Sequence, residues 1–226
     1  MPKSAISFKV PSKLWNAFKT QTDGLFLSRA PFLNYMVKKE LPNLSQDLAG
    51  LKLSTAAKRY IMGELGRKDL VSVNIEVEPE TADYLRATMK EHNLVRDAFM
   101  CRLIVFLRCT DGLLDWLEVP KTTRGSRHGG YLEDIPASPL GAMEAVRDDP
   151  FYYVRNHVVG IYKCGVHRVP LMRGAEWAAC YLEDEDVPST RAFKKRQKDW
   201  DLSFSLLDSP AGVGKPPSTR KSGASK

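Results

Sequence analysis

No apolar run in the chain approaches the roughly 20 residues that a membrane helix needs, and the N-terminus lacks the charged-then-apolar layout of a secretion signal. A cytoplasmic protein without membrane association is therefore expected. Cysteine is scarce: Cys101, Cys109, Cys164 and Cys180 contain no Cys-x-x-Cys pair and are too few for a disulfide framework, so reduced thiols are expected. A glycine-rich phosphate loop, a His-Glu-x-x-His pair and a Gly-x-Ser-x-Gly elbow are all missing. Without them, neither enzyme activity nor a cofactor is expected. Acids are missing from Ser209 to Lys226, a Pro-, Gly-, Ser- and Lys-rich stretch read as a disordered basic tail that adds nonspecific DNA affinity.

What the chain does have is enough material for a folded core: 226 residues, 43% hydrophobic and 27% charged, sufficient for two compact units plus tails. Its net charge of +7 is unevenly spread. Residues 1–70 carry 12 cations against 5 anions, residues 71–120 carry 5 against 9, and the remainder carries 17 against 13. The cationic excess of the first third suits an anionic partner such as a nucleic-acid backbone.

Two stretches share one pattern. In the first, Ile6, Phe8 and Val10 alternate with Ala5, Ser7 and Lys9, the period of a strand with one buried face. Pro11 ends it, Ser12 is the expected N-cap, and Leu14, Ala17 and Phe18 recur at helical spacing until Asp23-Gly24. A second helix is predicted behind Ser28 as N-cap, with Pro31 tolerated in its first turn and Phe32, Leu33, Met36, Val37 and Leu41 as its apolar stripe. The pattern returns at Val71, Val73, Ile75 and Val77, alternating with Ser72, Asn74 and Glu76. There Pro79 and Thr81 open a helix with Ala82, Leu85 and Met89, His92-Asn93 forms a left-handed stop, and a further helix runs from Val95 with Phe99, Met100, Leu103, Ile104 and Leu107 inward.

A unit of about 40 residues is too small to bury a core alone, so strands 5–10 and 71–77 are expected to pair antiparallel over four helices. Their outer face then carries Ala5, Ser7, Lys9, Ser72, Asn74 and Glu76, and a two-stranded ribbon of that width fits the DNA major groove. At these residues the sequence resembles the ribbon-helix-helix family, which includes the Arc and Met repressors, in the tandem layout of conjugation-accessory proteins with two units in one chain. The resemblance covers residues 4–41 and 71–107. It implies that Ser7, Lys9, Ser72 and Asn74 face bases, and that Ser28 and Arg29 clamp a phosphate at the start of the second helix, where backbone N–H groups favour an anion. Two positions depart from that pattern. Glu76 is a carboxylate on the reading face, and Val95 stands where a capping Ser would serve.

Between the units, Pro42 and Gly50 are read as breakers, and Ser54 as the cap of a linker helix with Ala57, Tyr60 and Ile61 inward. Lys121–Gly130 reads as a basic flexible linker, followed by a second body from 131 to 208. A helix is expected from Pro139 to Asp148, and Val154, Val158, Val159, Ile161 and Tyr162 fit either a strand or a buried helix. A cationic helix is expected over Pro188–Trp200, with Arg191, Lys194, Lys195, Arg196 and Lys198. His157, Cys164, His167 and Cys180 are the ligand types of tetrahedral zinc, but they lack paired short loops and the cysteines sit in apolar surroundings, so no metal site is expected.

The expected architecture is α+β and mainly helical: a tandem ribbon-helix-helix domain over 1–120 with a helical linker at 42–70, a linker at 121–130, a C-terminal α+β partner or assembly domain at 131–208, and the tail at 209–226. The expected function is sequence-specific binding of double-stranded DNA through the ribbon, as a transcriptional repressor or an accessory protein of plasmid transfer or partition, with a protein partner on the C-terminal domain and homo-oligomers on DNA. A protein-interaction scaffold, for example in a defence or nucleoprotein complex, is the alternative.

Overall fold

The computed structural model describes residues 4–119 and 149–207, with side chains as far as Trp200 except that of Tyr153. The expected linker at 121–130, the expected helix Pro139–Asp148 and the tail lie outside these residues. Among them the chain is α+β and mainly helical. The order is β1 (Ser4–Pro11), α1 (Ser12–Gly24), α2 (Arg29–Asp47), α3 (Thr55–Gly66), β2 (Leu70–Val77), α4 (Pro79–Glu91), α5 (Arg96–Arg108), α6 (Asp111–Trp116), α7 (Tyr152–Tyr162) and α8 (Arg191–Leu207), with 3-10 turns at Glu176–Ala178 and Asp184–Asp186.

Alternation builds the sheet. β1 and β2 pair antiparallel in register from Ser4 opposite Val77 to Pro11 opposite Leu70. Ile6, Phe8 and Val10 of β1, with Val73, Ile75 and Val77 of β2, point inward and are buried, each contributing about 1.5–3 kcal/mol by leaving water. No hairpin joins the strands, because α1, α2 and α3 lie between them in the chain.

Helix starts follow the expected chemistry in part. Ser54 caps α3, its hydroxyl accepting from the Ala57 N–H at 3.0 Å. Ser12 does not cap α1: the chain enters the helix directly from Pro11, and the Ser12 N–H donates to the Asp69 carbonyl at the edge of the ribbon (2.8 Å). Pro42 does not break α2, which runs on to Asp47. Proline forfeits one donor on an exposed side, while Leu41, Leu44 and Leu48, fully buried, hold the following turns in place. Gly50 supplies the positive φ that reverses the chain.

The helix stops of α1 and α4 are the same motif. After α4, Asn93 is left-handed, its N–H bonds to the Lys90 carbonyl and the Leu94 N–H to the Met89 carbonyl. After α1 the same two bonds run from Phe26 to Asp23 and from Leu27 to Thr22. Both are Schellman stops. The left-handed residue of the first is Phe26 (φ 55°), not Gly24 as the Asp23-Gly24 pair suggested.

α5 is buried on almost every side, including Arg102 and Phe106, whereas Leu107, expected inward, is only half-buried. The cause is residues 149–187, which pack over the outside of α5 and share the core of the helices. The segment over Val154–Tyr162, ambiguous in sequence, is the helix α7, burying Phe151, Val154 and Val158 at helical spacing. Phe151 meets Phe106 edge to face at 6.2 Å. Arg102 donates to the carbonyls of Val166 and Val169 and stacks on Phe106 at 5.2 Å.

Glu40 of α2, 1% exposed, receives Arg155 Nη2 at 2.7 Å and lies 2.9 Å from His167 Nε2. Asp149 holds the other side of Arg155. Burial disfavours the Arg155 charge, but Asp149 and Glu40 outweigh it and raise its pKa. Gly165 makes the close approach possible, because a Cβ there would stand 1.7 Å from Asp47 Oδ1.

Candidate nucleic-acid interface

The outer face of the ribbon consists of three exposed cross-strand pairs. Ala5 lies opposite Glu76, Ser7 opposite Asn74, and Lys9 opposite Ser72. The β period sends every second side chain away from the core, so the residues that alternate with Ile6, Phe8, Val73 and Ile75 have no other direction to point. Among the described residues, helices cover only the inner face. Ser7, Lys9, Ser72 and Asn74, expected to act together, are therefore neighbours on one exposed surface.

The face is chemically graded. Lys9 with Ser72 offers a cation and a hydroxyl at one end, Ser7 with Asn74 offers donors and acceptors in the middle, and Ala5 with Glu76 presents a methyl and a carboxylate at the other end. A Lys donates to guanine O6 and N7, an Asn pairs with adenine N6 and N7, and a Glu accepts from cytosine N4. Because the two strands differ in sequence, this surface has a direction.

Ser28 and Arg29 come to the flank of the ribbon. The start of α2 and β2 line one shallow groove, with Ser28, Arg29 and Ala30 on one side, Val73, Asn74 and Ile75 on the other, and Trp15 of α1 in its wall. Ser28 is the N-cap of α2, and its hydroxyl makes no capping bond. Arg29 is ion-paired with Asp23. Its guanidinium therefore has a competitor for any phosphate that enters.

The second unit differs at the matching place. Val95 is the N-cap of α5 and offers no side-chain bond, and Asp97 sits in the first turn, where it satisfies the positive end of the helix and pairs with Arg96 at 3.2 Å. An anion has little to gain there.

Sequence reasoning missed the turn Leu25-Phe26-Leu27 beside this groove. Leu25 is 61% exposed and Phe26 97% exposed. The signal available in sequence was three large apolar residues in succession at a helix stop. The four His and Cys residues weighed as zinc ligands do not assemble: His167 is engaged by Glu40, and among the described residues no group of three or more His, Cys, Asp or Glu is placed to hold a metal ion. No described helix is long and apolar enough to cross a membrane. Compared with known proteins, the chain matches no family model, no curated protein and no solved structure.

Proposed function

We propose that this chain is a double-stranded DNA-binding protein in which two ribbon-helix-helix units, residues 4–41 and 71–107, share one ribbon that enters the major groove. The observation that carries this reading is the exposed outer face of the β1–β2 ribbon, where Lys9, Ser7, Ser72 and Asn74 form adjoining cross-strand pairs. A ribbon of two strands is narrow enough for the major groove, and these side-chain types read base edges there. The first unit supplies the stronger phosphate clamp at Ser28 and Arg29, and the cationic first third of the chain supports approach to the backbone. A transcriptional repressor or a plasmid transfer or partition accessory protein is the role in which such a reader serves.

The test is selection of bound sequences from a random duplex library, followed by binding of the selected duplex to Lys9→Ala and Asn74→Ala. Each substitution should cost about 1–3 kcal/mol on the selected site and relax preference at one position. Failure to enrich any sequence would overturn the proposal.

A second reading is a protein-interaction scaffold that uses the same ribbon without reading bases. Glu76 on the outer face, the Asp23 partner of Arg29 and the anionic excess of residues 71–120 favour it. On that reading Lys9→Ala and Arg29→Ala leave partner binding intact.

A further inference from the structure

Helix α8 carries a feature that the ribbon does not use. Arg191, Lys194, Lys195 and Lys198 stand at spacings i, i+3, i+4 and i+7, which gathers them within an arc of about 100° on one side of the helix. All four are exposed. No ion pair to any of them is found among the described residues. The acids of the preceding turns are engaged elsewhere: Asp184 receives the Ser54 hydroxyl, Asp186 and Glu185 pair with Arg196, and Glu183 faces Tyr181 and Arg168, while Asp199, one turn beyond Lys195 at the edge of the stripe, makes an interaction of its own. Arg196 lies off the stripe, over the Phe193 ring.

Such an arrangement costs free energy in isolation. Like charges three and four apart on a helix repel, and cations in the first turns oppose the positive end of the helix dipole. The first turn of α8 contains no acid to offset either effect. An extended polyanion removes both costs at once. The stripe is about 10 Å long, and that length of duplex carries about six phosphate charges.

We propose that the Arg191–Lys194–Lys195–Lys198 face of α8 is a second, sequence-independent contact with the phosphate backbone of double-stranded DNA, separate from the ribbon. It shares with the functional reading above only the identity of the polyanion. An anionic membrane is disfavoured by where the apolar side chain lies. A helix that rests on a membrane carries its cations on the polar face and sinks the opposite, apolar face into the interface, so that apolar face must be free. Here Phe193, on the side of α8 opposite the stripe, is instead half-buried at the acidic turn with its N–H held by the Thr190 hydroxyl, and Trp200 is the large apolar side chain left exposed on that side among the described residues.

The experiment uses the full chain and a random-sequence 30-base-pair duplex. Affinity is measured by fluorescence anisotropy from about 50 to 200 mM salt for the wild type, for a variant with Arg191, Lys194, Lys195 and Lys198 all changed to Gln, and for the ribbon variant Lys9→Ala/Asn74→Ala. Loss of four phosphate contacts should lower the slope of log affinity against log salt by about 3 to 4 and weaken binding at low salt at least tenfold. The four side chains are exposed, so the circular dichroism spectrum and melting temperature should stay close to wild type. A slope unchanged in the Gln variant overturns the α8 proposal, and the ribbon reading then stands or falls on the selected site. A slope that falls in the Gln variant, with no site enriched, supports α8 and sinks the ribbon. Absence of wild-type binding at low salt overturns both. Stripe-dependent cosedimentation with phosphatidylserine vesicles, without any stripe dependence on DNA, replaces the nucleic acid by a membrane and overturns the α8 proposal.

Discussion

Arg102 of α5 donates to the main-chain carbonyl of Val166 from both Nε, at 2.8 Å, and Nη2, at 2.6 Å. Arg102 is 2% exposed, and its Nη2 also reaches the Val169 carbonyl at 2.6 Å. Burial lowers its pKa. An ion kept in a dry site with no carboxylate hydrogen-bonded to it among the described residues is tolerable only because these carbonyls take the place of water.

Arg102→Ala should therefore lower the unfolding free energy by about 3–5 kcal/mol, since it leaves a cavity and strips two buried carbonyls of their donor. Urea denaturation measures the loss. The first region to open should be residues 149–187, read by hydrogen exchange at Val166 to Val169 before exchange spreads to β1 and β2. Arg102→Lys restores the charge without the forked donor and should recover less than half of the loss. Full recovery by Lys would mean that charge, not the two-carbonyl geometry, holds the segment.

The matching Schellman stops of α1 and α4 predict a stabilising substitution. Asn93 adopts the left-handed conformation with a side chain that tolerates it, whereas Phe26 adopts it with a bulky one and packs against almost nothing. Left-handed backbone costs an ordinary residue about 1–2 kcal/mol. Phe26→Asn, copying the second unit into the first, should raise the unfolding free energy by about 0.5–1 kcal/mol, seen as a higher urea midpoint with unchanged m-value. A lower midpoint would show that the Phe26 ring is held by a contact within the fold.

Burial raises the pKa of all four thiols; Cys180 is pushed up to about 11, and Cys101 is raised further. The sign follows from proton counting. The thiol is neutral when protonated, so above the ordinary thiol value of 9.0 the unfolded chain has released a proton that native Cys180 still holds. Stability is then lost as pH rises, at about 1.4 kcal/mol per pH unit for each such thiol, until the native group itself ionises. Cys180→Ala should remove about 2–3 kcal/mol of the loss between pH 9 and pH 11, measured as the difference between the wild-type and variant pH profiles of urea unfolding. Parallel profiles would place Cys180 in a wetter site than its 2% exposure implies.

The strand pairing was legible because period-two alternation fixes both the partner and the outward set at once: if Phe8 and Val73 go in, Lys9 and Asn74 must come out. Asn93 and Ser54 were legible because their side chains favour the backbone roles they play. Arg102 and Glu40 were not. A charged residue in a helix reads as a solvated position, and only the arrival of a segment remote in sequence turned those positions inward. The ambiguity at Val154–Tyr162 had the same origin, since a short apolar run takes its conformation from what it packs on. Pro42 failed as a breaker because burial of Leu44 and Leu48 outweighs one missing hydrogen bond. At the groove beside Asn74, Arg29 could be located from sequence, but its pairing with Asp23 depends on how α1 ends, which the unexpected left-handed Phe26 decides.

The last prediction concerns the end of the ribbon where Glu76 lies opposite Ala5. If this end enters the major groove with the rest of the face, a carboxylate there is repelled by the flanking phosphates on random DNA and is favoured only where a cytosine amino group donates to it. Glu76→Gln keeps the size and the acceptor oxygen and removes the charge. Affinity for a random duplex should therefore rise three- to tenfold, about 1 kcal/mol, while discrimination at a single position of the selected site falls. The salt dependence sharpens the test, because removing an anion from the interface should steepen the slope, whereas Lys9→Ala at the opposite end should leave it unchanged or make it shallower. Anisotropy titrations of the two variants on the same duplex measure both effects. Unchanged affinity and slope in Glu76→Gln would confine the DNA contact to the Lys9–Ser72 end and the flank at Ser28.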